Sequence, residues 1–525
     1  MRIEKINQRL WRGVSLSILG AAALSLNASA ALAQRIGTST TVEPYLLPSN
    51  PKVTTASILT VGDLPAQNNY RIVGIPDGLG AFGNNDGSFT LLMNHELGST
   101  LGAVRAHGSK GAFVSKWKIN PTTLEVIKGE DLTQSANDVY TWDLATKQYK
   151  QGPAAFQRFC SADLPAKGAF QYGDKGTPDR IYLNGEETNE GRAFAHVATG
   201  AHAGEIWQLP RLGRIAFENV VASPYQQQKT VVMLLDDGNA STAPTASNFP
   251  SDLYMYVGSK QPNGHPIERA GLTNGKLFGL KVSLADGTVA GGEDNQFALG
   301  NATSGFIGTG RFAVQAMGPG GDVSGFTALQ LQQEAVDENV FRMQRIEDGA
   351  WDPRKSHSND FYFVTTASFT SNSRLWRLRF DDIERPERGG EIELLLKGDE
   401  LGHKMFDNMT IDGCGRIVLQ EDPGNQDYVA RLYVYGIQSG NLIEVAHHNP
   451  KFFDPNNSDL TKFITKDEES SGVIDAGKIL GTGWFLLDVQ AHKASTDPEL
   501  VEGGQLLAML IDTDLECAKD DEADD

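Results

Sequence analysis

Little in this chain supports a disulfide scaffold, a membrane-spanning bundle or a nucleic-acid-binding surface. Three cysteines in 525 residues exclude a disulfide-dense fold, and their odd number leaves at least one thiol unpaired. Beyond the N-terminal segment no stretch reaches the roughly 18 to 20 consecutive apolar residues of a spanning helix. Basic residues are outnumbered: 46 Lys and Arg stand against 66 Asp and Glu, a formal charge of −20, which repels nucleic acid and anionic membranes. Histidine is sparse, at 10 residues, and no His-Glu-x-x-His pair occurs. His447 and His448 are adjacent rather than four apart, so they read as loop histidines, and a zinc hydrolase is not indicated.

What is present begins with an address. Arg2, Lys5, Arg9 and Arg12 precede the apolar stretch VSLSILGAAALSL, and the small-residue site ALA follows at 31–33. Residues 1–33 therefore read as a secretory signal peptide of the general secretory type, with the mature chain starting near Gln34 and placed in the bacterial periplasm or outside the cell. Its removal leaves a formal charge of about −23. Such a charge suits a protein that holds clustered carboxylates with cations, and equally one that is simply well solvated.

The remaining residues carry many short segments rich in β-branched and aromatic side chains, bounded by Gly, Pro, Asn and Asp, among them SFTLLMNHE, RIYLNGEE, TVVMLLDD, DFYFVTTAS, RIVLQED and GWFLLDVQAH. The best helical exception is 325–345, where part of the stretch has apolar residues at helical spacing. An apolar run repeatedly ends in acidic or amide residues. Core strands tolerate this only if their ends share one cavity, which a radial repeat of sheets provides. The expected fold is all-β, a β-propeller of about six blades with inserted loops and a few short helices. One domain is expected over 34–515, with a disordered acidic tail over 516–525. A Ser-, Thr-, Ala- and Pro-rich loop follows Asp236.

The strand-end clusters are Asn94 with His95 and Glu96, Glu186 with Glu187, Asp236 with Asp237, and Glu421 with Asp422; Glu347 with Asp348 and Asp407 with Asn408 join them. Any one pair is more simply surface charge, but recurrence at corresponding strand ends favours a shared site. Converging carboxylates must hold cations, share protons or face solvent, and hard oxygen ligands select Ca²⁺, Mg²⁺, Mn²⁺ or Fe³⁺. Neighbours on a regular strand face opposite sides of the sheet. Glu186 and Glu187 therefore both enter a site only if the strand breaks at Gly185; otherwise one is a ligand and the other braces a neighbour. Cys160, in QRFCSADLP, alone reads as a buried small hydrophobe, whereas beside carboxylates a thiolate suits iron.

In order and spacing these segments resemble the PhoX-type alkaline phosphatases, exported calcium- and iron-dependent β-propeller enzymes. LLMNHE resembles that family's vNHE; FCSADLP followed by IYLNGEE resembles its Cys-Ala/Ser element and CEE-type strand; LGRIAFENVVA is similar to LGRFxHExA, and VVMLLDDG to vYxGDD. RIEDGAWDP resembles RPE, and DNMTIDGCGRIVLQED resembles DNLxxDxxGxLWixxD, so the likeness spans roughly residues 85 to 495. The resemblance implies iron at Cys160, Glu186, Glu218, Glu347 and Asp407, and calcium at Glu96, Glu187, Asp236, Asp237 and Asp422. Two positions depart from the pattern: Phe217 replaces a histidine and Gly185 a cysteine. The family commonly carries a twin-arginine export signal, and this chain lacks the paired arginines.

The implied activity is hydrolysis of phosphate monoesters, releasing inorganic phosphate through a metal-activated hydroxide or oxide, with Asn94, Arg192 and Arg345 as donors to substrate oxygens. The expected partner is a small phosphate ester, and a monomer is favoured. Alternatives are a phytase or phosphodiesterase on a similar propeller, an esterase or lactonase with one channel calcium, or a calcium-stabilised propeller that only binds.

Overall fold

The short apolar segments form strands because their side chains alternate between two packed faces, and the turns between them close antiparallel hairpins. The computed structural model of the protein describes residues 34–238, 244–245, 249–284, 289–290, 308–369, 371–398 and 400–518. The expected signal peptide, the last seven residues of the expected tail and part of the loop after Asp236 lie outside the described residues. Six blades stand around one axis, and their innermost strands are Pro76–Gly83, Phe159–Asp163, Phe217–Ala222, Ile346–Trp351, Phe406–Ile411 and Glu468–Asp475, here blades 1 to 6. Each inner strand packs against the next, and that of blade 6 returns to that of blade 1. The fold is the expected propeller.

Two blades borrow strands from the beginning of the chain. Val53–Thr60 pairs with Gly503–Ile511 in blade 6, and Leu46–Pro48 pairs with Leu442–His448 in blade 5. Closing the ring with both chain ends leaves only the short strands Gln34–Ile36 and Leu46–Pro48 at the outer edges of these two blades, beside blade-to-blade cores such as Phe485, Leu487, Val489 and Leu507. Blades 3 and 4 run on into one sheet through pairing of Thr309–Ala316 with Gly390–Leu396. Around the axis the backbones approach closely: a Cβ on Gly78 would meet the Ala162 nitrogen at 2.5 Å, so only glycine fits where blade 1 abuts blade 2.

The helical expectation over 325–345 is met by Ala328–Asp337, capped by Thr327 and Gln330 in a reciprocal box. Its buried Gln332 donates to Asp236 Oδ2 at 2.7 Å. The chain is still anchored at 516 and 517: Glu516 accepts from Ser439 and Asn441, and Cys517 forms a disulfide with Cys414 across 103 residues. A bond closing that length of chain stabilises a fold by about 2–5 kcal/mol. Among the described residues no helix is long and apolar enough to cross a membrane.

Candidate metal centre in the axial channel

In blades 2 to 5 the inner strand slips register immediately after its first residue. Phe159 pairs with Glu186, Phe217 with Asp236, Ile346 with Thr365 and Phe406 with Glu421, and in each case the pairing resumes with one extra residue on the inner strand. A β-bulge of this kind re-aims side chains that regular alternation would send to opposite faces. The second residue of each inner strand, Cys160, Glu218, Glu347 and Asp407, thereby enters a channel cavity of about 300 Å³. The residue after the second strand enters from the same end, because antiparallel pairing sets the end of one strand beside the start of the other. Glu96, Glu187, Asp237 and Asp422 line the cavity in this way, and blade 6 adds Asp467, Glu469 and His492.

Nine carboxylates and one thiol thus face two arginines and one histidine. Ligand atoms of Cys160, Glu187 and Glu218 all lie within 4.8 Å of one another, as do those of Glu218, Glu347 and Asp407, and those of Asp77, Glu96 and Cys160. Glu218 and Cys160 each belong to two of these groups. Burial, reinforced by neighbouring carboxylates, holds Glu218, Glu347 and Asp407 well above the usual carboxylate range. Burial likewise raises Glu187 to about 8 and Asp422 to about 7, and pushes the Cys160 thiol up. Burial alone would lower His492, but hydrogen bonds to Glu469 and Glu502 raise it to about 11.

Three cationic side chains rim the cavity. Arg345 grips Asp237 with two bonds of 2.8 Å and stands 3.2 Å from Glu347. Arg158 lies 2.8 Å from Glu96 and also pairs with Glu187. Both arginines immediately precede an inner strand and have left-handed backbones, with φ of 45° and 56°. That conformation costs an L-residue about 1–3 kcal/mol and turns the chain sharply into the strand.

Several expected site residues stand elsewhere. Glu186 faces away from the cavity, and its carboxylate receives Arg192 Nε at 2.6 Å and Nη2 at 2.5 Å, together with the Gln157 amide at 3.2 Å. Gly185 does not turn both glutamates inward: Glu187 enters the cavity and Glu186 braces. Arg192 is consumed in that brace. Asp236 likewise accepts from the Ala216 amide and from Gln332, and Glu421 from the amides of Lys404 and Arg431. The last residue of the second strand therefore ties down the loop entering its own inner strand in blades 2, 3 and 5. Asn94 lies beneath the cavity, donating to the Cys160 carbonyl at 2.6 Å and accepting from Tyr182 and Asn184. Asp348 accepts from Asn219 and the Met409 amide, and Asn408 donates to Ser161, completing a hydrogen-bonded floor. A larger space of about 510 Å³ opens beyond that floor without a comparable convergence of ligand atoms.

The brace and the ligand can be told apart. Glu186→Gln leaves the metal content of the purified protein unchanged and lowers unfolding stability by about 1–3 kcal/mol, because a buried charge-assisted pair is lost. Glu187→Gln lowers the metal content. Elemental analysis and denaturant unfolding of both variants read this directly; equal metal loss in the two would overturn the assignment.

The strand-end reading missed Asp77, Arg158, Asp467, Glu469 and His492. Their signals lie at strand starts, in IPDGLG, RFCSAD and KDEESSG, and in the histidine after FLLDVQA. The two departures from the family pattern meet in space. A Cβ on Gly185 would lie 2.3 Å from Phe217 Cβ, so the phenylalanine requires the glycine.

No protein-family model matches the chain, and no curated protein matches it in sequence. Among solved structures, PhoX of Pseudomonas fluorescens, in complex with vanadate, a transition state analogue, aligns at a TM-score of 0.59 with 11% identity over 89% of this chain and 97% of that one. This shows a shared fold. A protein of unknown function from Dyadobacter fermentans aligns at a TM-score of 0.40 with 7% identity, over 88% of this chain and 100% of that one. A 6-phosphogluconolactonase-like protein from Bacteroides uniformis aligns at 0.32 with 10% identity, over 79% and 95%. These two are too dissimilar to carry an argument.

Proposed function

We propose that the protein is an exported, metal-dependent phosphatase that hydrolyses phosphate monoesters in its axial channel. The observation that carries this reading is the convergence of Cys160, Glu187, Glu218, Glu347 and Asp407 in overlapping groups of ligand atoms within 4.8 Å. The ordered motifs shared with the PhoX-type phosphatases, and the near full-length alignment with a PhoX bound to vanadate, support it. The disulfide between Cys414 and Cys517 suits a compartment outside the reducing cytosol.

The residues fit a cluster of cations. Buried carboxylates this close cannot remain ionised without compensating positive charge, and Asp407 Oδ1 is buried with no hydrogen-bond partner. Oxygen ligands from Glu96, Glu187, Glu218, Asp237, Glu347, Asp407 and Asp422 would suit calcium, and the Cys160 thiolate within the same set would suit iron. Bound there, such ions would supply the positive charge and the acidified water that phosphoester hydrolysis requires. The chain's own contribution is positional. The bulged strands hold the ligands, the floor of Asn94, Asn408 and Asp348 keeps them from collapsing, and Arg345 and Arg158 present guanidinium groups at the rim. A phosphoryl group entering the cavity would draw on those guanidiniums, whose planar forks match its oxygens. Asn94 and Arg192 act through packing rather than contact with substrate.

Turnover of a chromogenic phosphate monoester tests the reading. Activity is lost in chelator and returns with added calcium and iron. Protein with its metals restored that hydrolyses no phosphate ester would overturn it.

A further inference from the structure

The axial centre uses up its arginines, because Arg345 and Arg158 are paired with the carboxylates beside them. The other end of the channel shows the reverse. The walls of its cavity of about 510 Å³ include Lys167, Arg180 and Lys478, and among the described residues none of the three makes an ion pair. Lys478 acts on Asp475 only from beyond ion-pair distance. The acids of the same walls are tied down instead. Asp163 accepts from the Ala222 amide at 2.8 Å, Asp348 from the amides of Gly349 at 2.7 Å and Met409 at 3.0 Å, and Asp475 from that of Gly477 at 2.8 Å. In a chain with 66 acidic residues against 46 basic ones cations find partners easily, so three left unpaired on one cavity mark it.

Arg180 immediately precedes the second strand of blade 2, Ile181–Glu186. That strand ends beside the axial centre, so Arg180 stands at its far end. Its guanidinium lies 4.9 Å from the centroid of the Phe82 ring, and the residue is half-buried. Burial lowers its pKa with no carboxylate to offset the shift. A guanidinium stacked on a ring keeps its N–H edge for a planar partner, and a carboxylate matches that fork. Lys167 and Lys478, from blades 2 and 6, are exposed and lie where the cavity meets solvent. Much of the remaining wall is apolar, with Leu79, Phe82, Leu164, Trp351, Ile411 and Ile479. Apolar walls, a few polar groups and this volume are the features of a small-molecule site.

We propose that this second cavity binds a small organic carboxylate, with its head group paired to Arg180 and its apolar body against Leu79, Leu164 and Trp351. The two rim lysines draw the anion in. The hydrogen-bonded floor separates this site from the axial centre, and it does not depend on the phosphatase reading.

The test titrates octanoate into the full-length protein as purified, by calorimetry, with 1-octanol and acetate as probes that lack the charge or the apolar body. One octanoate binds per chain, about tenfold or more tighter than either probe. Arg180→Gln weakens it about tenfold, and Glu218→Gln, altered only at the axial centre, leaves it unchanged. Absence of octanoate binding overturns the proposal, as does equal binding of 1-octanol or acetate, or unchanged binding in a folded Arg180→Gln. Loss of binding in Glu218→Gln would put the carboxylate on the axial metals and overturns it too. Should Arg180→Gln fail to fold, the exposed lysines decide: a Lys167→Gln, Lys478→Gln double variant binds octanoate more weakly if the site is real, and wild-type affinity overturns it.

Discussion

Glu218→Gln is expected to abolish hydrolysis, lowering kcat by about a thousandfold or more while leaving the propeller folded. Glu218 belongs to two of the overlapping ligand groups, one with Cys160 and Glu187 and one with Glu347 and Asp407, so its loss disturbs both sides of the cluster. It also accepts a hydrogen bond from Ser161 Oγ at 2.7 Å, which the glutamine can keep; shape is preserved and charge is lost. A cation that clamps phosphoryl oxygens is worth several kcal/mol of transition-state stabilisation, and about 4 kcal/mol is a thousandfold in rate. Steady-state kinetics and elemental analysis on the same preparation are the measurements. A variant with normal metal content and normal turnover would show that the centre lies elsewhere.

The second large effect concerns pH in the metal-free protein. Glu187, at about 8, and Asp422, at about 7, are raised chiefly by burial, as are Glu96, Glu218, Glu347 and Asp407 in direction. A carboxyl group whose folded value exceeds its unfolded value binds protons more tightly when folded, so stability falls as pH rises. Its contribution is complete below the ordinary carboxylate range and is lost through the folded value. The thermal midpoint of chelated protein therefore declines between about pH 5 and pH 9, by on the order of a few kcal/mol of stability in total. Calcium reverses the trend, because ions and protons compete for the same oxygens. Each ion at a hundred times its dissociation constant adds about 2.7 kcal/mol. Calorimetry across pH, with and without calcium, reads the crossing; a metal-free midpoint that rises over this range would contradict the clustered-carboxylate picture.

These two effects have a common source in the bulges. Six blades converging on an axis bring strand starts and strand ends to one mouth, and bulges in four of them add a channel-facing residue that a flat strand would have turned away. Glycine at 78 and 185 marks places where neighbouring blades or side chains leave no room for a Cβ. The Gly185 and Phe217 pair is the clearest case. Each looked like an independent departure from the family pattern, and together they are one packing solution between blades 2 and 3.

The amino-acid sequence by itself determined the short, Gly- and Asn-bounded strands, the all-β propeller, and the repeated placement of acids after apolar runs, because alternation and turn chemistry are local properties written in consecutive residues. It also marked most of the cavity carboxylates, including Glu96, Asp237, Glu347, Asp407 and Asp422. Only the tertiary structure decided which member of each adjacent pair faces the axis. Glu186 and Glu187 are chemically identical neighbours, and their roles are separated by a bulge, by Arg192 on one side and by Arg158 on the other. The same holds for Asp236 and Asp237, divided by Gln332 from a helix and Arg345 from the next blade. The junction of blade 6 with blade 1 became legible only when the ring closed, since Gln490 donates to Asp77 and Glu96, about four hundred residues away along the chain, and no local pattern encodes contacts of that range.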